Sequence, residues 1–187
     1  MGERMYLSTA CAAALTLVFV VSVTGKFGGG RFRSFVASTG VLGVISRARR
    51  VIVARMVVAA EFVIVAALIA GAVGRWWSVL FPAFAGAASL LVAFTAAILL
   101  SLSRGERAPC HCFGPSASPL GVAQVVRNIL LLGIALSGSV ASLVESPHGH
   151  LPGTAVALCA GLAVGLVAVR FDDIVELFRD VPELVKE

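Results

Sequence analysis

The fold of this chain is decided by the stretch Val51–Val73, which reads VIVARMVVAAEFVIVAALIAGAV. Only two of its residues, Arg55 and Glu61, carry a charge. The hydrocarbon core of a bilayer is about 30 Å thick and requires about 20 helical residues to cross it. Backbone polar groups in lipid have to bond within the segment, and the strands of a membrane barrel would alternate apolar with polar residues. The stretch therefore predicts a transmembrane helix.

The rest of the sequence has the same character. Hydrophobic residues make up 59% of the 187 residues and charged residues only 13%, whereas soluble domains contain about a quarter charged residues. Long apolar segments recur to the C-terminal end, which excludes a signal peptide followed by a soluble body. The predicted spans are Tyr6–Thr24, Val51–Val73, Trp76–Leu102, Leu120–Val144 and Leu151–Val169. The predicted fold class is all-α, an integral membrane helical bundle of about five transmembrane helices.

Five crossings divide the connecting segments between two faces of the membrane. Loop one, Gly25–Arg50, and loop three, Ser103–Pro119, are predicted on one face, which we call the cysteine face. The N-terminus, the turn at Arg75, loop four and the tail Arg170–Glu187 are predicted on the other. Loop one contains an apolar run, Ser34–Ser46, that is too short to cross, which predicts an interfacial or re-entrant helix.

Loop three contains the sequence APCHCFGPSASPLG, in which Cys110 and Cys112 flank His111. Three accounts of the pair are open: a metal site, inert thiols or a redox pair. Structural zinc takes four ligands, whereas this strand supplies at most three, and the other two histidines of the chain belong to the opposite face. No metal is therefore expected.

Redox chemistry is the preferred account of the two cysteines. A disulfide that closes a loop of three residues removes little entropy from the unfolded chain and would be a poor structural brace. Cysteines at i and i+2 meet only in a bent backbone, and strained disulfides are the more exchangeable kind. A protonated His111 would favour the thiolate, which is the attacking species; a histidine that simply faces the headgroups is the alternative.

Glu61, Arg127 and Asn128 form the polar set that is predicted deep inside the spans. Measured from Arg50 and Pro119, Glu61 lies about 16 Å deep, near the midplane, and Arg127 about 12 Å deep from the same face. Ionisable residues at such a depth usually face a partner or a cavity. We therefore expect Glu61 to meet Arg127, with Asn128 hydrogen-bonding nearby. The pair either fixes the helix register or holds a polar pocket that positions a headgroup or a quinone.

The order of these residues resembles one known family. Lys26 follows span one, and then come Phe32-Arg33, Glu61 in span two, Cys-x-Cys-Phe-Gly from Cys110 to Gly114, and Arg127-Asn128. This order, over Met5 to Leu143, resembles the methylamine-utilisation protein MauE family, which belongs to the wider DoxX-like group of redox-associated membrane proteins. The Cys-x-Cys-Phe-Gly and Arg-Asn motifs are its most specific part.

The resemblance implies a membrane protein that supports the maturation of methylamine dehydrogenase, through disulfide formation in its small subunit or export of that subunit. It implies an extracytoplasmic thioredoxin-like partner. It also implies roles for individual residues: Cys110 and Cys112 as the redox pair, Glu61, Arg127 and Asn128 as the intramembrane polar set, and Lys26 and Arg33 at the basic interface.

The chain adds a fifth span and an acidic tail to the four-span pattern of the family. The predicted domains are a MauE/DoxX-like four-helix unit at 1–145 with an interfacial segment at 31–50, an additional transmembrane helix at 146–170, and an amphipathic acidic tail at 171–187. The expected function is therefore general support of thiol-disulfide chemistry or maturation of extracytoplasmic proteins. The alternatives are an assembly or export scaffold and a small-molecule transporter, both with structural cysteines.

Two arguments about orientation in the cell membrane disagree. Eight basic residues on the cysteine face against five opposite favour a cytoplasmic cysteine loop by the positive-inside rule. Disulfides persist outside the reducing cytosol, and on this ground an extracytoplasmic loop is the preferred prediction. The expected partners are the lipid bilayer and a thioredoxin-like protein, not nucleic acid, because the basic residues flank membrane spans. A quinone is a candidate cofactor, and Cys11 and Cys159 are expected to be packing residues.

Overall fold

The structure is a computed structural model that describes residues 3–26, 32–33, 35–36, 47–74, 76–104, 122–143 and 150–179. Within these ranges the chain is almost entirely helical and contains no strand. A short helix, α6, Phe171–Arg179, follows five helices that are long and apolar enough to cross a membrane: α1 Glu3–Lys26, α2 Arg47–Gly74, α3 Trp77–Ser103, α4 Val122–Ser142 and α5 Leu151–Val169. The predicted fold class is confirmed.

The first four helices form a closed ring. α1 packs against α2 and α4, and α3 packs against the same two helices. Small residues such as Ala87 and Ala135 are fully buried in this ring and allow the helices to approach closely. The core between them is filled by large apolar side chains that are all at most 2% exposed: Leu15, Val18, Phe19, Leu68, Phe84, Leu91 and Leu131.

α2 and α3 are joined by a tight connection around Trp76. The backbone N–H of Trp76 donates to the carbonyl of Gly71, and its own carbonyl accepts from the N–H groups of Val79 and Leu80. Gly71 lies against the backbone of Leu80, where a Cβ would come within 3.2 Å of the Leu80 nitrogen. A side chain at residue 71 would therefore separate the two helices where the chain turns back.

The fifth span packs on the outside of the ring, against α1. Gly161 and Gly165 lie directly on the α1 backbone, where a Cβ would come within 2.2 Å of the Ala10 carbonyl oxygen and 2.9 Å of the Ala14 carbonyl oxygen. The equal spacing of the two contacts shows that α5 runs parallel to α1. As in other membrane helix pairs, the absence of side chains lets the two backbones touch.

The described part of the C-terminal tail, Arg170–Arg179, lies toward the cysteine face. Because α5 runs parallel to α1, its C-terminal end points toward the same face as the C-terminal end of α1, the face from which loops one and three emerge. There α6 packs against α4 and α5, and Asp172 forms an ion pair with Arg127, with 2.6 Å between Oδ2 and Nη1. The prediction that the tail shares a face with the N-terminus is wrong, because five crossings leave the two ends of a chain on opposite faces.

The contact between α5 and α1 predicts that Gly161→Ala destabilises the protein. The added methyl group would overlap the Ala10 carbonyl oxygen, and overpacking of this kind typically costs about 1–3 kcal/mol. We expect a lower midpoint of thermal unfolding in detergent.

Gly133→Ala is the matched control, because nothing lies within 4 Å of a Cβ at that exposed position of α4. Alanine favours a helix over glycine by about 0.5–1 kcal/mol, so this variant should be neutral or slightly more stable. An equal midpoint for the two variants would contradict the described packing of α5.

Candidate functional site

The buried charged side chains lie at one end of the bundle. Among the described residues they are Lys26 at the end of α1, Glu61 in α2, Arg127 near the start of α4 and Asp172 in α6, all at most 9% exposed. At the same end the buried uncharged polar side chains are Ser22, Ser101, Gln124 and Asn128, whereas only Ser8, Ser139 and Ser142 are buried toward the other. The polar end is the cysteine face, because loop three connects α3 to α4 there.

Glu61 is held by two residues of α1. Its Oε1 atom forms an ion pair with Lys26 Nζ and also accepts a hydrogen bond from Ser22 Oγ at 2.9 Å. Lys26 Nζ donates in addition to Ser22 Oγ at 3.0 Å. Ser22 and Lys26 are one helical turn apart, so they share a face of α1. The three side chains form a closed triangle in which the two charges are neutralised.

Two aromatic rings surround the ammonium group of Lys26. The ring centroid of Phe35 lies 4.7 Å from Nζ and that of Phe94 lies 5.2 Å away, both within the range of cation–π interactions. Phe35 belongs to the short segment after α1 and is 2% exposed, and Phe94 belongs to α3. The ion pair between α1 and α2 is therefore enclosed by side chains from two further parts of the chain.

The expected pairing of Glu61 with Arg127 is wrong. Glu61 pairs with Lys26, and Arg127 pairs with Asp172. The prediction compared depths measured from the ends of the predicted spans, and depth alone does not say which helices face each other. It also assigned the tail to the opposite face, which removed Asp172 from consideration.

The contacts of Glu61 fix its level relative to α1. Its partners Ser22 and Lys26 are in the last two turns of α1, so Glu61 is level with the end of that helix and not with its middle. α2 begins at Arg47, and its first fourteen residues, about 21 Å of helix, lead from the loop to Glu61. α2 therefore continues past the end of α1 on the loop side of Glu61.

Of the remaining predicted site residues, the structure describes Asn128 and Arg33 but not the cysteine motif. Asn128 is completely buried in α4, and Arg33 is exposed in the segment after α1. Cys110, His111 and Cys112 lie outside the described residues. Within the described ranges, no group of three or more His, Cys, Asp and Glu side chains is arranged to hold a metal ion.

Four residues of the site escaped the sequence analysis: Ser22, Phe35, Phe94 and Asp172. Ser22 could have been found, because it stands four residues before Lys26 and so on the same helix face. The two phenylalanines have no such signal, since aromatic residues in an apolar sequence are normally packing residues. Asp172 could have been found from a correct count of the crossings.

Together these features define an integral membrane helical bundle with paired buried charges at one end. A family model described as "Methylamine utilisation protein MauE" matches residues 4–141. The chain belongs to the MauE family, as the order of its motifs indicated. No curated protein and no solved structure matches the chain. The matched residues comprise the four-helix ring, and α5 and α6 lie beyond them.

The ion pair predicts that Glu61→Gln is strongly destabilising. The substitution leaves the Lys26 ammonium buried without its counter-ion, and breaking a buried pair in this way typically costs about 3–5 kcal/mol. The double variant Lys26→Met/Glu61→Gln removes both charges and should recover a large part of that loss. The measurement is the midpoint of thermal unfolding in detergent.

Arg55→Met serves as the control, because it removes one exposed charge from the same helix. We expect it to change the midpoint little. If the losses of Glu61→Gln and Lys26→Met simply added in the double variant, the two side chains would not be coupled and the described pair would be incorrect.

Proposed function

We propose that this chain is a membrane protein for thiol-disulfide exchange, with Cys110 and Cys112 as its redox pair. The observation that carries the proposal is the concentration of buried charges at the end of the bundle from which the cysteine loop emerges. Charged residues inside membrane bundles are costly and commonly mark functional sites. The redox-associated role that the family resemblance implied supports the same function.

The proposed exchange conserves atoms and electrons. The thiolate of one cysteine attacks a disulfide of a thioredoxin-like partner on the same face, which forms a mixed disulfide and releases one partner thiolate. The second cysteine then attacks the mixed disulfide. The Cys110–Cys112 pair is thereby oxidised to a disulfide, and the partner's disulfide is reduced to two thiols. His111 assists by favouring the thiolate of its neighbours.

This mechanism predicts that a single cysteine variant traps the mixed disulfide. In Cys110→Ser or in Cys112→Ser the resolving thiol is missing, so the covalent complex with the partner should accumulate. It is detected as a band on non-reducing gels that disappears on reduction, and mass spectrometry identifies the partner.

Cys159→Ser is the control, because Cys159 is an exposed free cysteine of α5. It should trap nothing. If neither loop variant trapped a partner and the Cys110→Ser/Cys112→Ser double variant retained full function, the thiols would be structural, and the assembly or export scaffold would be the better account.

We also propose that the cysteine face is cytoplasmic, which reverses the preference drawn from disulfide chemistry. With the described part of the tail on this face, Arg170 and Arg179 join its basic residues. The number of basic residues then becomes ten on the cysteine face against two opposite, with Lys186 left out of the count. Only Arg4 and Arg75 remain opposite. By the positive-inside rule, an excess of this size favours the cytoplasm. In that reducing compartment the pair rests as a dithiol and reduces a cytoplasmic thioredoxin-like partner, in place of the extracytoplasmic partner that the resemblance implied.

The orientation predicts the outcome of thiol labelling. In a Cys11→Ser/Cys159→Ser background only the loop cysteines remain, because the chain has four cysteines. A membrane-impermeant maleimide should label them in inverted vesicles but not in intact cells. Labelling in intact cells would contradict the cytoplasmic placement, and permeabilised cells control for reactivity.

A further inference from the structure

Among the described residues, several buried side-chain atoms at this end of the bundle have no hydrogen-bond partner, and three of them belong to Glu61 and Asn128. Glu61 uses Oε1 for Lys26 and Ser22, whereas its Oε2 has no partner among the described residues. Asn128 is also completely buried, and both its amide oxygen and its amide nitrogen have no partner there. A buried polar group without a hydrogen bond costs about 1–3 kcal/mol. Leaving three such atoms unbonded at one end of a bundle requires an explanation.

The packing of α3 on α4 shows that Glu61 and Asn128 lie at a similar level along the bundle. The ring of Phe84 lies against Gly138, where a Cβ would come within 2.5 Å of it. α3 and α4 run antiparallel. Phe94, ten residues after Phe84 in α3, is therefore level with Asn128, ten residues before Gly138 in α4. The ring of Phe94 is 5.2 Å from Lys26 Nζ, and Lys26 pairs with Glu61. Asn128 is therefore near the level of the ion pair, in the helix that packs against both α1 and α3.

The three atoms without partners, Glu61 Oε2 and the amide oxygen and nitrogen of Asn128, restrict which ligands could bind there. Glu61 Oε2 requires a hydrogen-bond donor, and Asn128 offers both a donor and an acceptor. The charges of Lys26 and Glu61 already cancel, so a charged ligand would leave a net charge buried in low dielectric. A neutral hydroxyl group fits, because it can donate to the carboxylate oxygen and accept from an amide N–H.

We propose that Glu61 and Asn128 bind a neutral hydroxyl group inside the bundle, beside Lys26 and Phe94. The site is independent of the cysteine loop and of the proposed exchange reaction. The hydroxyl belongs either to a water molecule that enters from the cysteine face or to a membrane-soluble alcohol or phenol that enters from lipid.

The surface between α2 and α3 has room for an alkyl chain close to this level of the bundle. An apolar groove of about 650 Å³ lies between these helices and ends at Ala60 and Ala93, which directly precede Glu61 and Phe94 in the sequence. Its other walls are mostly small or aliphatic, including Ile64, Gly86 and Leu90. A hydroxyl compound with one alkyl chain could rest its chain in this groove, whereas a water molecule would not need it.

The test is X-ray radiolytic footprinting of the full chain in lipid nanodiscs. Hydroxyl radicals formed from a bound water oxidise the adjacent aromatic rings, and mass spectrometry reads the oxidation of each phenylalanine. If water occupies the site, Phe94 should be oxidised severalfold faster than Phe84 and Phe19, which are fully buried in the apolar core. Asn128→Leu should remove this difference, and Cys110→Ser/Cys112→Ser should leave it unchanged.

The second arm adds n-decyl hydroquinone, with decylbenzene as the control that lacks the hydroxyl groups. If the occupant is a membrane-soluble hydroxyl compound, the hydroquinone should raise the unfolding midpoint of the wild type and not that of Asn128→Leu, and decylbenzene should have no effect. If the occupant is water, Phe94 oxidation should persist with either compound present.

Two results would overturn the proposal. One is a Phe94 oxidation rate equal to that of Phe84, together with no response of the unfolding midpoint to the hydroquinone. The other is a wild-type rate of Phe94 oxidation in Asn128→Leu. The stability of Asn128→Leu is an independent test. If the site is empty, the variant should be more stable than the wild type, because an unbonded amide is replaced by an apolar side chain. If the site is occupied, the variant should be less stable, because it loses the hydrogen bonds to the ligand.

Discussion

A carboxylate enclosed by lipid-embedded helices has no bulk water to stabilise its charge, and the pairing of Glu61 with Lys26 is how this protein meets that constraint. The pair joins two helices that are separated in sequence by the whole of loop one. Ser22 closes the triangle on α1, while Phe35 and Phe94 cover the ammonium group. Four parts of the chain therefore converge on one neutral pair of charges. The polar end of the bundle is organised around this pair, because α1, α2, α3 and the segment after α1 each contribute a side chain there.

Arg127 and Asp172 form a second buried ion pair, which reaches the part of the chain that the family match does not cover. Arg127 lies inside the matched residues and Asp172 lies beyond them, so the ion pair connects the family's four-helix ring to α6. The glycine contacts of α5 with α1 fix the other end of this extension. Buried ion pairs are weak sources of stability compared with apolar packing, but an unpaired buried charge is strongly unfavourable. The two ion pairs therefore act mainly against arrangements of the helices that would leave a buried charge unpaired, and they add less to the stability of the native arrangement.

The sequence predicted the helices well and the contacts between them poorly, for one physical reason. Whether a segment crosses a membrane depends on its own length and polarity, so the run Val51–Val73 was sufficient to identify a span. Which residue faces Glu61 depends on the rotation and offset of another helix, and neither is written in a single segment. The expected partner Arg127 had the right charge and a plausible depth, yet Lys26 was closer because its side chain turns back along α1 toward Ser22. The aromatic neighbours of the pair carried no signal at all, whereas the position of Asp172 followed from the number of crossings.

The central claim is that Lys26 and Glu61 are in direct contact, and solid-state NMR of the protein in lipid bilayers tests it most directly. With 15N-labelled lysine and arginine and 13C-labelled glutamate, the side-chain nitrogen–carbon dipolar couplings report which cation lies beside the Glu61 carboxylate. The chain has only two lysines, and Lys26→Met identifies the signal. We expect a strong coupling between the Glu61 carboxyl carbon and Lys26 Nζ that is absent in this variant. A coupling of Glu61 to the Arg127 guanidinium in its place would contradict the described end of the bundle.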